Sequence, residues 1–510
     1  MVKCRKLFRL FIFMMGFFLV VGCGGESKSS SDTTAPIIKL NGESKMTVLF
    51  GSTFLDKGAT AVDNVDGSVR VGVSGEVDST QIGTYIITYS AEDKSGNKSS
   101  LTRTVSVAYD CSLKGQNKLV YGIMKDAYLW YEHVDDLAYD EYTNTETLLE
   151  DLKYEKYDRW SYISSLSSYT NYFEEGTYLG FGFSMRLLDE KIYISLIYKD
   201  SPAHLVGIER GSEILEIEGK TIQEITAQDL WNTILGSEEV GVERTFKVKT
   251  NGTTSTVSIK KAIVTAHSVI ESKTLELEGK KVGYLVFNKF IEPSLAELSE
   301  TFEAFKKDGI EELILDLRYN GGGRLHIAQY LASLIGGDKS NENVFNTLKF
   351  NDRYTNWNFD YKFTDEINHL SLDRVYVITT ENTASASEYV INGLTPFLDV
   401  HLIGSKTHGK PVGMRGFTFC EKHLSPIQFQ GVNAEGYGDY FDGIAPSCTV
   451  EDDILHPFGD ENEAMLKETL YFMGNNKCSI NVQKTAKQEA PSIEYKRVPQ
   501  KGLEYEIDAF

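Results

Sequence analysis

The sequence predicts a multidomain protein in which an all-β sandwich precedes a small helical segment, a β-rich module and an α/β core. A chain of 510 residues is too long for a single hydrophobic core and has room for about three domains. Short runs of alternating apolar residues between positions 36 and 108 indicate the sandwich. Buried-strand patterns that alternate with helical patterns between positions 281 and 473 indicate the α/β core.

The first 22 residues have the pattern of a segment that is processed rather than folded. Four cationic residues precede an apolar run from Leu10 to Val21, which is too short for a comfortable transmembrane helix. The run ends at Gly22-Cys23, and this junction resembles the bacterial lipoprotein signal. The resemblance implies a signal peptide over residues 1–22, cleavage before Cys23 and a lipid on its sulfur. The alternative is an ordinary secretory peptide followed by an incidental cysteine.

The residues after this junction indicate where the protein resides. Gly24, rather than an aspartate, follows Cys23, which fits lipoproteins that are sent on to an outer membrane. We therefore expect a lipid-anchored protein of the bacterial cell envelope, either periplasmic or surface-exposed. Residues 23–35 are rich in Gly, Ser, Lys and Asp and predict a flexible tether. The formal charge of −21 argues against a nucleic-acid partner, because phosphates require a basic surface.

Residues 36–108 predict the sandwich, since turn clusters separate short alternating runs such as Tyr85-Ile86-Ile87-Thr88-Tyr89. Two of the turns are Asp63-Asn64-Val65-Asp66-Gly67 and Asp93-Lys94-Ser95-Gly96-Asn97. Carboxylates at alternate positions suit Ca²⁺, but tight turns explain both segments more simply. The unit resembles the bacterial immunoglobulin-like modules that space or anchor surface enzymes.

Residues 112–175 change to a helical pattern. Met124 and Tyr128, followed by Leu148 and Leu152, lie at helical spacing and predict a small bundle. The aromatic residues of this segment suggest a ligand site, although core packing is the more common use of such a stripe.

Residues 176–262 resemble a PDZ domain, because Tyr178-Leu179-Gly180-Phe181-Gly182-Phe183 opens the segment and Ser201-Pro202-Ala203 follows. The resemblance implies that backbone N–H groups around Leu179, Gly180 and Phe181 bind the terminal carboxylate of a peptide. Such a nest and an adjoining strand edge suit an extended chain. The alternative is a β-rich module that only regulates or spaces the core.

The α/β core is expected over residues 275–475, and its central feature is a strand, helix and strand pattern from Arg374 to Lys410. Ser385 stands at the start of the helix, and Lys410 follows the second strand 25 positions later. Loops that follow neighbouring parallel strands meet in space, so a nucleophile and a base can be brought together there. The simpler alternative is a capping box formed by Ser385 and Glu388.

A second buried strand, Leu313 to Arg318, ends in Tyr319-Asn320-Gly321-Gly322-Gly323. Adjacent glycines let backbone N–H groups approach a substrate oxygen, as an oxyanion hole requires. The sequence therefore places a possible oxyanion hole close to the predicted nucleophile.

Three motifs together resemble the tail-specific, or C-terminal-processing, serine peptidases. They are Ser-Ala-Ser-Glu from position 385, Lys-Thr-x-Gly-Lys ending at position 410, and Asp-Leu-Arg-x-Asn-x-Gly-Gly from position 316. The resemblance covers about residues 119 to 473 and implies a crotonase-like ββα core. It also implies that Ser385 is the nucleophile, that Lys410 is the general base, and that the N–H groups of Gly322 and Ala386 hold the oxyanion.

The implied activity is endopeptidase cleavage through an acyl-enzyme, without a cofactor, on proteins or peptides whose free C-termini the PDZ-like module selects. Two positions depart from the family pattern. Gly321 stands where the family usually has proline, so the sequence leaves open which glycine N–H enters the oxyanion hole, although it favours Gly322. Met414 stands where some relatives have a glutamine that steadies the lysine. The residue that orients Lys410 is therefore left open. The alternatives are a catalytically silent peptide-binding scaffold and a crotonase-like acyl enzyme.

The remaining histidines and cysteines carry less information. Nine histidines without close ligand spacing argue against a catalytic zinc, and His408 is expected to point away from Lys410. The four cysteines after the lipidation signal allow three disulfide pairings, and the sequence does not choose among them. They are Cys111, Cys420, Cys448 and Cys478. Residues 479–510 predict a polar, loosely ordered tail.

Overall fold

The computed structural model describes residues 31–188, 190–479 and 496–497. It divides into two compact units, Met1–Tyr109 and Asp110–Phe510. The predicted signal peptide, the lipid site at Cys23 and the first part of the tether lie outside the described residues. Most of the predicted polar tail lies outside them as well.

The first unit is a sandwich of seven strands, as the sequence predicts. The strands are β1 Ile37–Leu40, β2 Lys45–Leu49, β3 Ala59–Asp63, β4 Gly67–Val69, β5 Val71–Ser74, β6 Gly83–Glu92 and β7 Lys98–Ala108. One sheet has the order β1-β3-β4 and the other the order β2-β7-β6-β5, in which β2 runs parallel to β7. Ile87, Tyr89 and Val105 form the buried centre between them.

A buried cation also lies inside the sandwich. Arg103 is fully buried and forms an ion pair with Asp56. It also donates hydrogen bonds to the Tyr89 hydroxyl (2.9 Å), the Glu43 carbonyl (3.0 Å) and the Asn41 carbonyl (2.8 Å). Burial of a charge is tolerable here because acceptors surround the guanidinium.

The second unit begins with helical elements that contain the predicted helical segment. They are α1 Leu113–Asp126, α2 Thr145–Leu152 and α3 Leu166–Phe173, with strand β8 Tyr162–Ser165 before α3. Short 3₁₀ turns cover Tyr131–His133 and Tyr139–Glu141. Side-chain caps start the helices: Ser112 Oγ accepts from Gly115 N (3.1 Å) and Asn144 Oδ1 from Thr147 N (2.7 Å). The apolar faces of α1 and α2 are buried, which agrees with core packing.

The β-rich module follows. Its strands are β9 Thr177–Gly180, β10 Phe183–Leu188, β11 Lys191–Ile197, β12 Glu213–Ile217, β13 Lys220–Thr221, β14 Glu243–Thr250, β15 Thr253–Lys260 and β16 Ala262–Thr265. Its helices are α4 Pro202–Leu205, α5 Ile222–Ala227 and α6 Trp231–Ile234. The sheet order is β15-β14-β12-β11-β10, and a two-residue strand near the C-terminus, Lys496–Arg497, pairs with the outer edge of β10. A separate ladder joins β9 to β16.

The α/β core is built on a six-stranded sheet. Its strands are β17 Val269–Leu277, β18 Lys280–Phe287, β19 Glu312–Asp316, β22 Arg374–Thr379, β23 Asp399–Gly404 and β28 Cys448–Thr449, in that order across the sheet. From β18 to β28 every neighbouring pair is parallel. Its helices are α7 Ser294–Asp308, α8 Leu325–Gly336, α9 Ala386–Leu394 and α10 Ala464–Asn475.

Apolar residues cover both faces of this sheet. Helices α7, α8 and α9 contribute to one buried cluster and α10 to the other. Strands buried on both faces read as continuous apolar runs, which is why β19 and β22 can be recognised in the sequence. The loops after β19, β22 and β23 consequently emerge at the same edge of the sheet.

Two smaller sheets complete the core. One contains β20 Val344–Phe350, β21 Phe359–Lys362, β24 Val412–Met414 and β27 Ile427–Val432; the other joins β25 Phe417–Phe419 and β26 Lys422–Ser425 to β8. Another 3₁₀ segment covers Asp352–Trp357, and a short one covers Gly337–Lys339. Disulfides connect Cys111 to Cys420 and Cys448 to Cys478. Within the described ranges, none of the helices is both long enough and apolar enough to cross a bilayer.

Candidate active site

Ser385 lies at the carboxyl edge of the sheet, in the loop between β22 and α9. It is the N-cap residue of α9, with φ 55° and ψ −114°. A non-glycine residue with positive φ is strained, and such strain concentrates at functional sites. The position also places the hydroxyl beside the positive end of the helix dipole.

A buried carboxylate organises the loop that carries Ser385. Glu388 Oε2 accepts hydrogen bonds from the backbone N–H of Ser385 (2.9 Å) and from that of Lys410 (2.8 Å). Its Oε1 accepts from Gly409 N (2.7 Å) and from the Thr407 hydroxyl (2.6 Å). Glu388 is fully buried. One carboxylate oxygen therefore joins the backbone of the predicted nucleophile to that of the predicted base.

The environment of Glu388 acts on its pKa in two directions. Burial raises the pKa above its ordinary value, because a charge is costly in a medium of low dielectric constant. The hydroxyl of Thr407 and the N–H groups of Lys410, Gly409 and Ser385 counteract this increase, because they stabilise the ionised form. The ionised carboxylate carries no proton, so both of its oxygens can accept these four hydrogen bonds.

Lys410 belongs to the loop after β23 and lines the same cavity as Ser385. The loop requires glycine at position 409, where φ is +88° and a Cβ atom would lie 2.3 Å from the Phe441 carbonyl oxygen. Lys410 Nζ lies 5.7 Å from the centre of the Trp160 ring. The buried Trp160 side chain, which comes from the helical segment, therefore lies near the amine.

The ring of His408 is engaged elsewhere. Its Nε2 accepts a hydrogen bond from Trp160 Nε1 (3.1 Å), and its Nδ1 lies 3.3 Å from the Glu381 carbonyl oxygen. The ring nitrogens thus support the lysine loop from outside the cavity, whose lining does not include His408 among the described residues.

The glycine-rich loop after β19 lies directly against Ser385. A Cβ atom on Gly322 would come within 2.8 Å of Ser385 Cβ and 2.9 Å of Ala386 N, and its φ is +103°. Gly322 N donates to Asn320 Oδ1 (2.9 Å). The Asn320 carbonyl in turn accepts from Ala384 N (3.1 Å) and from the Ser387 hydroxyl (2.9 Å). The structure therefore brings Gly322 and Ala386 together, with the Gly322 N–H directed at Asn320.

The cavity beside these residues has a volume of about 550 Å³. Ser385, Lys410 and Gly322 share it with Lys289 and with a wall of aromatic residues. The aromatic members are Tyr162, Tyr169, Tyr172, Phe173, Phe350, Trp357, Phe359, Tyr361, Tyr389 and Phe429. A cleft of this size, apolar with a few polar groups, suits an organic side chain of a bound substrate.

A buried charge network lies beneath the glycine-rich loop. Arg318 pairs with Asp316 (2.7 Å), Glu463 (2.8 Å) and Asp452 (3.1 Å). Burial opposes ionisation of Asp452 and Glu463, but Arg318 holds the pKa of both carboxyl groups below their ordinary values. Arg210 of the β-rich module donates to the Tyr319 hydroxyl (3.0 Å) in the same network. The module therefore contacts the loop that carries Gly322.

The predicted peptide-binding residues line a different, smaller cavity of about 50 Å³ in the β-rich module. Leu179, Gly180 and Phe181 surround it together with Trp231 and Lys261. Lys261 is buried, and its Nζ lies 2.8 Å from Glu238. A cation therefore stands beside the segment that the sequence assigns to carboxylate binding.

Sequence reasoning overlooked three contributors to this site. Glu388 was considered only as the partner in a capping box, whereas its carboxylate also holds the lysine loop. Asn320 belongs to the glycine-rich motif but has no role assigned from the sequence, and Trp160 is not among the residues that the sequence singles out. The sequence signal for Glu388 was its position among the apolar residues of α9, which predicts burial. A buried glutamate must accept hydrogen bonds from several donors.

Three family models match parts of the chain. A model of the Ig-like domain of bacterial surface proteins matches residues 38–107. A model of the peptidase S41 N-terminal domain matches residues 115–162, and that of peptidase family S41 matches residues 281–450. The last range contains Gly322, Ser385 and Lys410. These matches confirm the predicted immunoglobulin-like module and the predicted peptidase core.

Individual proteins show the same likeness. A "Probable CtpA-like serine protease" of Staphylococcus haemolyticus is 27% identical over 278 residues, which cover 54% of this chain and 53% of that protein. A protein of the same name from Staphylococcus aureus strain COL is 26% identical over 278 residues, with the same coverage. The chain spans about half the length of the curated relatives it matches. A protein of Bacteroides fragilis assigned to the S41 proteases, whose crystal structure is known, is 28% identical in sequence. The two structures superpose with a TM-score of 0.58 over 70% of this chain and 97% of the Bacteroides fragilis chain.

Proposed function

We propose that the chain is a serine endopeptidase that works through Ser385 and Lys410, in a domain that matches the model of peptidase family S41. The neutral amine of Lys410 takes the proton of the Ser385 hydroxyl as its oxygen attacks the scissile carbonyl. The N–H of Ala386 stabilises the oxyanion that forms, and the Gly322 N–H joins it when it exchanges its bond to Asn320 Oδ1 for one to the oxyanion. The leaving amine accepts a proton and departs, and water then hydrolyses the acyl-enzyme, so no cofactor is required.

The shared carboxylate of Glu388 is the observation that carries this proposal. Ser385 N and Lys410 N both donate to the same oxygen atom, although they belong to loops that follow different strands. A plain helix cap needs only the bond to Ser385. The second loop is held in place at the same oxygen, which fixes the nucleophile and the base relative to one another.

A test of the dyad compares hydrolysis of an unstructured protein substrate by wild type, Ser385→Ala and Ser387→Ala. Ser385→Ala should abolish turnover while the protein stays folded. Ser387→Ala removes a hydroxyl that donates to the Asn320 carbonyl, so measurable turnover should remain. Full activity of a folded Ser385→Ala variant would overturn the proposal and favour the catalytically silent scaffold or another nucleophile.

We further propose that residues 176–262 form a PDZ domain that selects substrates by their free C-termini. Leu179, Gly180 and Phe181 line a cavity together with Lys261 and its ion-pair partner Glu238, and a terminal carboxylate would take the place of Glu238 beside this cation. The pairing of Lys496–Arg497 with β10 supports this assignment, because it is an example of an extended segment added to the outer edge of β10. A substrate tail that binds there would displace this short strand.

The crucial comparison uses matched peptides with a free or an amidated C-terminus. Peptides with a free apolar C-terminus should be cut faster than the amidated ones. A higher kcat would indicate that the bound tail activates the core, and an effect on KM alone would indicate that the module only tethers the substrate. The hydrogen bond between Arg210 and Tyr319 offers a route for activation. Equal rates would leave the module as a spacer.

The location of the protein is the remaining part of the proposal. We propose that Cys23 is lipidated and anchors the protein in the bacterial cell envelope. We also propose that the peptidase core is of the crotonase-like type. The two disulfides support a compartment outside the reducing cytosol. Membrane fractionation tests the anchor: Cys23→Ser should release the protein or stall its processing, and a wild-type protein that is wholly soluble would contradict it.

A further inference from the structure

Three carboxylates meet at one end of the sandwich formed by residues 37–108. Asp32 precedes β1, Asp63 ends β3, and Asp93 directly follows β6. A carboxylate oxygen from each of the three lies within 4.8 Å of the others. The residues are far apart in sequence, so the fold of the sandwich creates this cluster. Peptidase chemistry makes no use of it.

The tight turns expected from the sequence are present but leave part of the cluster unused. Asp63 Oδ1 accepts hydrogen bonds from Val65 N and Asp66 N, both at 2.8 Å, in the usual manner of a turn-forming aspartate. Asp63 Oδ2, by contrast, is buried and has no hydrogen-bond partner among the described residues. Only 4% of Asp63 is exposed. A buried carboxylate oxygen without a partner is costly, and so it points to a missing ligand.

The other two carboxylates of the cluster, Asp32 and Asp93, are held in place by hydrogen bonds of their own. Asp32 Oδ1 accepts from Thr34 N (3.1 Å), while its Oδ2 is buried without a hydrogen-bond partner in the described part of the chain. Asp93 is 6% exposed, and both of its oxygens accept hydrogen bonds from Asn97. The Asn97 amide also donates to the carbonyls of Asp32 (3.2 Å) and Thr34 (3.3 Å). The segment before β1 is therefore held against the turn that contains Asp93.

The cluster lacks a compensating cation of its own. Within the residues described, no ion pair involves Asp32, Asp63 or Asp93. The nearby Lys94 instead pairs with Asp66 at 3.1 Å, and its side chain is 87% exposed. Three carboxylates in close contact repel each other strongly away from water, and neighbouring like charges are stable only with a counter-charge or a proton.

We propose that this cluster is a calcium site. The donors are all carboxylate oxygens, which are hard ligands and favour Ca²⁺ or Mg²⁺ over zinc. Oxygens that bind one Ca²⁺ ion lie no more than roughly 5.2 Å apart, and the three oxygens of this cluster are within that limit. Mg²⁺ demands shorter, octahedral contacts and keeps several waters, so a cluster of three converging carboxylates favours the larger ion.

The site has a structural consequence for the tether. An ion bound to Asp32, Asp63 and Asp93 would fasten the segment before β1 to two turns of the sandwich. The segment from residue 32 to β1 would then be held as part of the sandwich. In a calcium-rich extracellular setting, where modules bind with dissociation constants of about 10⁻⁴ to 10⁻³ M, such a site would be occupied.

Isothermal titration calorimetry of the full chain after chelator treatment tests this inference. We expect one Ca²⁺ per chain with a dissociation constant of about 10⁻⁴ to 10⁻³ M, and weaker binding of Mg²⁺. Asp63→Asn should weaken binding about tenfold or more while it preserves the turn, because the amide oxygen can still accept the two N–H bonds. Asp32→Ala should do the same, and it lies outside every strand, so folding is not at risk.

Asp66→Asn is the matched control. It removes an aspartate of the same turn that pairs with Lys94 rather than with the cluster, so calcium affinity should change by no more than about twofold. Absence of saturable calcium heat up to about 10 mM would overturn the proposal, since extracellular sites saturate below that concentration. Unchanged affinity in both Asp63→Asn and Asp32→Ala, or tighter binding of Mg²⁺ than of Ca²⁺, would overturn it as well.

Discussion

Replacement of Glu388 by glutamine tests the organisation of the active site with a change of a few atoms. The side chain keeps its length and shape, but one of its two oxygens becomes an NH₂ group. In the native protein Oε2 accepts from Ser385 N and Lys410 N, and Oε1 accepts from Gly409 N and Thr407 Oγ1. Whichever way the amide is oriented, its NH₂ group faces two donors and can accept from neither.

The expected magnitude follows from those lost bonds. A hydrogen bond to a charged group contributes about 1.5 to 3 kcal/mol, so loss of two of them weakens the local arrangement by roughly 3 to 6 kcal/mol. Part of this weakening unfolds the loop and part misplaces the reacting groups. Because displacement of reacting groups by an ångström can cost about a hundredfold in rate, we expect kcat to fall by about a hundredfold or more.

The assay is steady-state hydrolysis of a peptide at neutral pH, with circular dichroism and a thermal midpoint to establish that the variant is folded. Glu381→Gln is the matched control, because Glu381 lies on the same loop with an exposed side chain and loses the same charge. Its kcat should stay within about twofold of wild type, as for most surface substitutions. A folded Glu388→Gln variant with wild-type kcat would refute the role assigned to this carboxylate.

Three further predictions concern pH and the disulfides. Activity should decline in acid as Glu388 is protonated, because burial raises the pKa of its carboxyl group above the ordinary 4.5. Thr407→Val removes a hydrogen-bond donor to the ionised carboxylate, so it should move this decline to higher pH. The pH dependence of kcat/KM measures both effects. Burial, aided by Arg324, lowers the pKa of the His423 imidazole to about 4. As the pH falls, the unfolded chain therefore protonates this histidine before the folded chain does. The free energy of unfolding should be at its full value above pH 6.5 and should fall by up to ~3 kcal/mol between pH 6.5 and 4. Denaturant titrations should show this slope in wild type and a flatter one in His423→Phe; equal slopes would contradict the assignment. Replacement of Cys111 and Cys420 by serine should lower the thermal midpoint, because the bond joins positions 309 residues apart and the chain-entropy model gives about 6 kcal/mol for such a loop. An unchanged midpoint would mean that the bond does not constrain the unfolded chain.

The elements of the sheet were predictable from the sequence because their pattern is local. Strands β19 and β22 are buried on both faces, so each is a continuous apolar run that can be recognised without a structure. Parallel neighbours carry their following loops to the same edge, and this rule alone predicts that Ser385 and Lys410 approach one another. The structure places both in one cavity.

The remaining features depend on contacts between distant parts of the chain. Cys111 and Cys420 meet only because β8, near the start of the second unit, pairs with β26 near its end. Three of the four bonds to Glu388 come from the loop after β23, so they form only when that loop returns to α9. The carboxylates of Asp32 and Asp63 meet only after β1 pairs with β3. No local pattern encodes such meetings, which is why the sequence left the disulfide pairing and the support of Lys410 open.

The most direct test of the central claim is mass-spectrometric mapping of a serine-reactive probe on the active protein. The account predicts a single adduct on Ser385 in wild type, none in Ser385→Ala, and strongly slowed labelling in Lys410→Ala because the base is missing. Ser387→Ala should still be labelled at Ser385. An adduct that persists in folded Ser385→Ala, or one that maps to Ser387 in wild type, would contradict the assignment of Ser385 as the nucleophile.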